Sequence, residues 1–250
     1  MYNLGLDTPE SHEYLQRTIA LIEHLETPAT HEWITAVPSS SSEITRLETT
    51  VPDGPVDLTS SLRSAAMSAL ESAAHIRYSI QSSHYTLTSL RGMMRTVLMG
   101  AGRLGFVALP DTELVRETNA ATVVGQEARS FKRALKDDQE ITNLSELQWR
   151  PDDVGEFERQ IANVNTGRLP GDGVMIRETA DMIGARAAAA EPTIESAALR
   201  EHLTNVWNTS SGSAHGFDWQ SRATGDFVTD IGAVISTFHV SFDATQRLWR

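Results

Sequence analysis

The sequence predicts an all-α protein, an antiparallel helical bundle with an N-terminal helical extension. Apolar residues recur at steps of three and four over most of the chain, which keeps them on one face of a helix. No segment shows the strict apolar–polar alternation of a half-buried strand. Capping residues and prolines fall at the ends of the periodic stretches, where a helix must start or stop.

Thr8 and Pro9 open a first helix that runs to about Glu26, a cap followed by a residue with φ already fixed for helix. "PSSSSE" at 38–43 has the composition of a flexible link. Residues 1–51 are therefore read as a helix plus link, and residues 52–250 as the bundle domain. A second helix spans about Pro55 to Ser82, with Leu58, Leu62, Ala65, Ala69, Ala73, Ile76 and Ile80 on one face. The clearest stripe is Leu87, Leu90, Met94, Val97, Ala101, Leu104 and Ala108. Pro110 ends that helix, since proline cannot continue the ladder. Asp111 then caps a helix with Leu114, Thr118, Ala121, Gly125, Ala128, Phe131 and Leu135 facing inward. Two long helices joined so tightly should lie antiparallel.

Asp153 with Glu156 has capping-box spacing for a short helix to about Asn163. "NTGRLPGDG" at 165–173 is a loop by composition. Helices follow over Asp172 to Ala190 and Pro192 to Ser211. A last one runs from Thr224 to Leu248, with Phe227, Ile231, Val234, Phe238, Phe242 and Thr245 on its inner side.

The chain has 250 residues, enough for a sizeable core without staples. It contains no cysteine, so disulfides, zinc-thiolate sites and thiol catalysis are excluded. The net charge of -12 argues against non-specific nucleic-acid binding, though it leaves room for a local basic patch. Lys132 and Lys136 are the only lysines, so almost all positive charge is arginine. No basic segment leads into an apolar one at the start, and no apolar run approaches the roughly 18 residues of a membrane span. The expectation is an acidic cytoplasmic protein with no membrane contact, no cofactor and no metal.

Few residues carry a chemical signal. Gly100, Gly102 and Gly105 have G-x-G-x-x-G spacing, but they lie inside a helical stripe, and a dinucleotide site needs a strand before them. Close helix packing is the better expectation. Arg91 and Arg95 sit one turn apart and, with Arg103, line the flank of the same helix. They could clamp a phosphate or carboxylate, or serve in ion pairs on a solvated face. His75 and His239 fall in or beside apolar stripes and are expected at the core or its boundary. The remaining stretch, "WNTSSGSAHGFDW" from Trp207 to Trp219, places His215 next to Gly216. Locally this suits the end of a helix packed closely through its small residues, with histidine complementing the dipole.

"SLRGMMRTVLMGAGRLGFVALPDTELVRETNAA" followed by "VWNTSSGSAHGFDW" resembles a group of uncharacterised actinobacterial all-helical proteins with a late AHG-x-x-W motif. That motif in turn resembles the terminal motif of the HEPN superfamily, which includes defence and toxin ribonucleases. The resemblance spans roughly residues 60–250. It implies a HEPN-like bundle, often a homodimer, with a helix carrying R-x(4–6)-H. In active members the arginine holds the scissile phosphate, and the histidine moves a proton during attack by the ribose 2′-hydroxyl. His215 matches the histidine. Asn208, Thr209 and Ser210 stand where the arginine belongs, and the nearest one upstream is Arg200. The resemblance therefore implies a catalytically inactive binding or regulatory module acting on a protein partner. The alternative is a metal-independent ribonuclease, with RNA as partner, using His215 and an arginine from another helix or subunit. Arg91, Arg95, Asn208 and Trp219 are the ligand-binding candidates, and His215 the catalytic one.

Overall fold

The computed structural model describes Leu4, residues 6–140, Asn143, and residues 148–214 and 226–250. These residues form ten α-helices and no strand. The first three are α1 (Pro9–Leu25), α2 (Pro28–Thr35) and α3 (Glu43–Glu48). Then come α4 (Leu58–Gln81), α5 (Leu87–Ala108) and α6 (Glu113–Gln139). The last four are α7 (Pro151–Ile161), α8 (Asp172–Ala190), α9 (Ala198–Ala214) and α10 (Phe227–Leu248). None is long and apolar enough to cross a membrane.

Helix α5 is the axis of the bundle. At 22 residues it is about 33 Å long, and α4, α8, α9 and α10 all pack against it. Its predicted stripe is buried, from Leu90 and Met94 through Val97 and Ala101 to Leu104. The three glycines let its neighbours approach. A Cβ on Gly100 would lie 2.6 Å from Ala69 Cβ and 2.7 Å from the Ala65 carbonyl oxygen, both on α4. At Gly102 it would lie 2.8 Å from Ile176 on α8, and at Gly105 2.4 Å from Thr179 Cγ2 on α8 and 2.7 Å from Ser241 Oγ on α10. The glycines are helix contacts, as expected, because no side chain fits where they stand.

Helix ends follow local chemistry. Thr8 and Thr86 close capping boxes at α1 and α5, each trading hydrogen bonds with the serine three residues on. The start of α4 uses two acids. Asp57 accepts from the Ser60 N–H at 2.6 Å, and Glu48, from the end of α3, accepts from the Leu58 and Thr59 N–H groups at 2.8 Å each.

Several elements differ from expectation. Helices α2 and α3 were not signalled by periodicity, since 8 and 6 residues are too short to show it. Ser39 to Ser42, link-like in composition, form a hydrogen-bonded turn in which Ser42 caps α3. The first turns of α6 are rotated: Leu114 is 72% exposed and Ala121 also faces water, while Asn119, Ala120, Val123 and Val124 are buried. The Asn119 amide donates to the Phe106 carbonyl at 2.6 Å, which turns that side inward against α5. Asp111 does not cap α6; it pairs with Arg186 at 2.9 Å. The Asp153–Glu156 capping box does not form at α7. Asp153 pairs with Arg150 and Glu156 accepts from Gln160, while Pro151 opens the helix. Helix α9 starts at Ala198 rather than Pro192. The residues before it turn back over α8, where the Ser196 carbonyl would lie 2.1 Å from a Cβ on Gly184.

Helices α1 to α3 join the same apolar cluster as the rest through Leu15, Ile22, Ile34, Ile44 and Leu47. Arg77 on α4 binds Glu26 at 2.7 Å, and this carboxylate holds the guanidinium more firmly protonated than usual. Trp33 packs on Phe242 and Trp249 with ring centroids 4.9 and 4.8 Å apart. A smaller cluster of Leu135, Val154 and Ile161 joins α6 to α7, flanked by Phe131 and Phe157.

His75 is exposed on α4, contrary to its expected place at the core or boundary. His239 on α10 is half-buried, its ring 6.0 Å from that of His24 on α1. Burial and the His24 neighbour lower its pKa, and Asp243 opposes them. The folded chain thus takes up a proton at His239 less readily than the unfolded chain. Stability is therefore full above the ordinary imidazole value of about 6.5 and declines as pH falls below it. Thermal melts between about pH 7 and about pH 5 are expected to show this fall, and His239→Gln to flatten it. An equal fall in the variant would assign the acid sensitivity to other groups.

Candidate functional site

Of the residues singled out from sequence, Arg91 and Arg95 lie where α5, α9 and α10 meet. Arg91 and Arg95 are one turn apart on α5, so they leave it on one side. Trp207 and Ser211 have the same relation on α9. The two pairs meet. The Arg95 guanidinium lies over the Trp207 ring at 5.1 Å, and its Nε donates to Ser211 Oγ at 3.3 Å. Arg91 stands over the ring of Phe227, the first residue of α10, at 5.8 Å. Both arginines are half-buried, so each cation rests on a π face instead of being fully hydrated. The Trp207 indole in turn lies against Gly173 near the start of α8, where a Cβ would be 3.0 Å from Nε1.

Arg103, further along α5, is tied down differently. It pairs with Glu127 on α6 and with Asp172 on α8, the latter at 3.4 Å. It links three helices and is not part of the arginine–tryptophan cluster.

Asn208 is not brought to this cluster. It is exposed on another face of α9, beside a shallow groove lined by Arg177, Arg200, Glu201, Thr204 and Asn205. Arg200 there pairs with Asp181 at 3.2 Å. His215 and Trp219 lie outside the described residues. What is described is the frame on either side of them. Arg95 reaches Ser211, four residues before position 215 in the sequence, and Arg91 reaches Phe227, two residues after position 225.

The chemistry of this frame is that of an anchored cation. Arg95 has one donor committed to Ser211, and among the described residues its η nitrogens have no hydrogen-bond partner. Ser210, beside it in sequence, is fully buried with no partner for its hydroxyl among the described residues. Among the described residues no group of three His, Asp or Glu side chains could hold a metal ion.

Two features escaped sequence reasoning. His202 Nε2 stands 3.1 Å from Asp230 Oδ1, joining α9 to α10. Nothing in local spacing could place residues 28 positions apart together. The second is a run of cations on α6, Arg129, Lys132, Arg133 and Lys136, spaced as one helix face. Its signal was visible, because both lysines of the chain fall in it and no acid interrupts it. No family model matches this chain, and no curated protein and no solved structure is significantly similar to it.

Proposed function

We propose that this chain is a HEPN-like helical bundle that acts as a catalytically inactive binding or regulatory module. The observation that supports this most is the engagement of Arg95. Its Nε and its planar face are given to Ser211 and Trp207, so it serves as a clamp between α5 and α9. The position where the motif arginine belongs is filled by the exposed Asn208, the buried Thr209 and the buried Ser210. A ribonuclease of this type needs a cation at the phosphate and a histidine to move the proton. At the positions of the motif arginine, α9 supplies no such cation.

A second proposal is a metal-independent ribonuclease using His215. One observation favours it: Arg95 and Arg91 contact Ser211 and Phe227, which stand on either side of that histidine in the sequence. Incubating the purified chain with single-stranded RNA separates the two. The binding module predicts no cleavage by the wild-type chain beyond that of His215→Ala. Cleavage that falls about 10²-fold or more in His215→Ala, and falls again in Arg95→Ala, would overturn it. Because Arg95 also clamps the bundle, its variant is compared only at temperatures where circular dichroism shows it folded.

A further inference from the structure

We infer that the chain carries an anion-binding pocket between α6 and α7, built for a small organic polyphosphate. This goes beyond the proposal above and concerns a different part of the molecule. A cavity of about 590 Å³ opens between the C-terminal half of α6 and the end of α7. That size falls within the range of pockets that hold small ligands, roughly 300–1,000 Å³.

Its charge is the unexpected property. Arg129, Lys132, Arg133 and Lys136 all line it, and Glu158 is the one acid among its lining residues. The chain as a whole has 33 acids against 21 lysines and arginines. So one cavity gathers four cations, including both lysines, in a molecule with a net charge of -12. Elsewhere the arginines are mostly matched, as in Arg46–Glu117, Arg77–Glu26, Arg103–Glu127 and Arg116–Glu43. Among the described residues none of the four pocket cations has an ion pair within 4.0 Å.

Arg129 carries the inference furthest. It is half-buried, and its Nε and Nη2 are shielded from solvent with no hydrogen-bond partner among the described residues. A guanidinium taken out of water without a partner is costly. A helix C-terminus can account for Lys136 in the last turn of α6, through the dipole. It does not account for Arg129, which lies almost three turns from the end of the helix. An anion in the cavity would supply the missing acceptor.

The walls narrow the ligand class. Leu135, Ile161 and Ala162 add an apolar part to the lining beside its cations. Inorganic phosphate would leave that part unused. A ligand with two or more phosphates on a compact organic body would use both. The same two helices are also joined by a ring cluster, in which Phe131, Trp149 and Phe157 pack tilted or edge to face with centroids 5.1 to 5.2 Å apart.

Calorimetric titration of the whole chain with ATP, inorganic pyrophosphate and a short single-stranded RNA tests this, all without divalent metal. Saturable binding of one ATP per chain is expected, about tenfold tighter than pyrophosphate, and weakened by added salt. Lys132→Gln and Lys136→Gln, both at exposed positions, should each weaken ATP about tenfold. Neither should move the melting temperature of the free protein. Arg129→Gln should remove binding. If that variant does not fold, the two lysine variants decide. Absence of ATP binding, or unchanged affinity in both lysine variants, would overturn the proposal. Equal affinity for ATP and pyrophosphate would overturn its organic half. RNA bound in preference to ATP, with the same lysine dependence, would replace it with a nucleic-acid surface.

Discussion

Gly105→Val is expected to leave the bundle largely unfolded under conditions where the wild-type chain is stable. Any side chain at this point begins with a Cβ 2.4 Å from Thr179 Cγ2 and 2.7 Å from Ser241 Oγ. Both neighbours are fully buried, and Thr179 is further fixed by donating to the Gly102 carbonyl at 3.1 Å. Neither can move aside without shifting α8 or α10. Overpacking of a filled interior costs about 1–3 kcal/mol, and more where backbone must give. Valine adds two further methyl groups in the same place, so a loss above about 3 kcal/mol is expected. Against this, replacing a helical glycine recovers only about 1 kcal/mol of backbone entropy. The steric term wins. Gly92 on the same helix provides the contrast, since nothing lies within 4 Å of its Cβ position. There the entropy term acts alone, and Gly92→Ala should stabilise by about 0.5–1 kcal/mol. Urea denaturation of both variants checks the pair. Two variants of similar stability would mean that the α5 interface is looser than its geometry.

Glu48→Ala should cost about 2–4 kcal/mol, a large loss for a half-buried carboxylate distant from the arginine cluster. Each oxygen accepts from a backbone N–H at 2.8 Å, from Leu58 and from Thr59, and one also accepts from the Thr59 hydroxyl at 2.8 Å. These are first-turn donors of α4, which have no acceptor within their own helix. Leu58 is fully buried, so water is a poor substitute at its N–H. The carboxylate also favours the positive end of the helix. Glu48→Gln, which keeps one acceptor oxygen, should recover about half of the loss. Thermal unfolding of the two variants against wild type is the measurement. A loss below about 0.5 kcal/mol in Glu48→Ala would show that water replaces the carboxylate.

The helical class and the long elements were legible because their apolar spacing is determined by what they bury. On α10, the expected inner residues Phe227, Ile231, Val234, Phe238, Phe242 and Thr245 are all buried. On α6 the same method put Leu114 inside, and it faces water. The difference is one buried amide. Asn119 bonds a carbonyl of α5 and sets the rotation of α6, and periodicity of apolar residues cannot register a polar anchor. Helices α2 and α3 were hidden for another reason. Their 8 and 6 residues are held by Trp33, Ile44 and Leu47 packing on helices distant in sequence, not by a repeating pattern.

Of the candidate site, Arg91 and Arg95 were legible as a one-turn pair. That they rest on Phe227 and Trp207 was not, because more than 100 residues separate the partners. Asn208 shared a stretch of sequence with Trp207, but adjacent helical residues diverge by about 100°, and it points elsewhere. The cation run on α6 was legible as charge. Its significance depends on α7 closing a cavity over it, which only the tertiary structure provides.

The three glycines of α5 have a consequence for how this chain can vary in length. Gly100 meets α4, Gly102 meets α8, and Gly105 meets α8 and α10, all within six positions. One residue inserted between Gly102 and Gly105 would turn everything after it by about 100° and advance it by about 1.5 Å. Gly105 would then leave Thr179 and Ser241, and a bulkier neighbour would take its place against them. Natural variants of this protein should therefore tolerate insertions and deletions in exposed parts of the connections, such as residues 191–194, and none between Gly100 and Gly105. The spacing of those glycines behaves as a fixed length in the gene as much as a packing device in the fold.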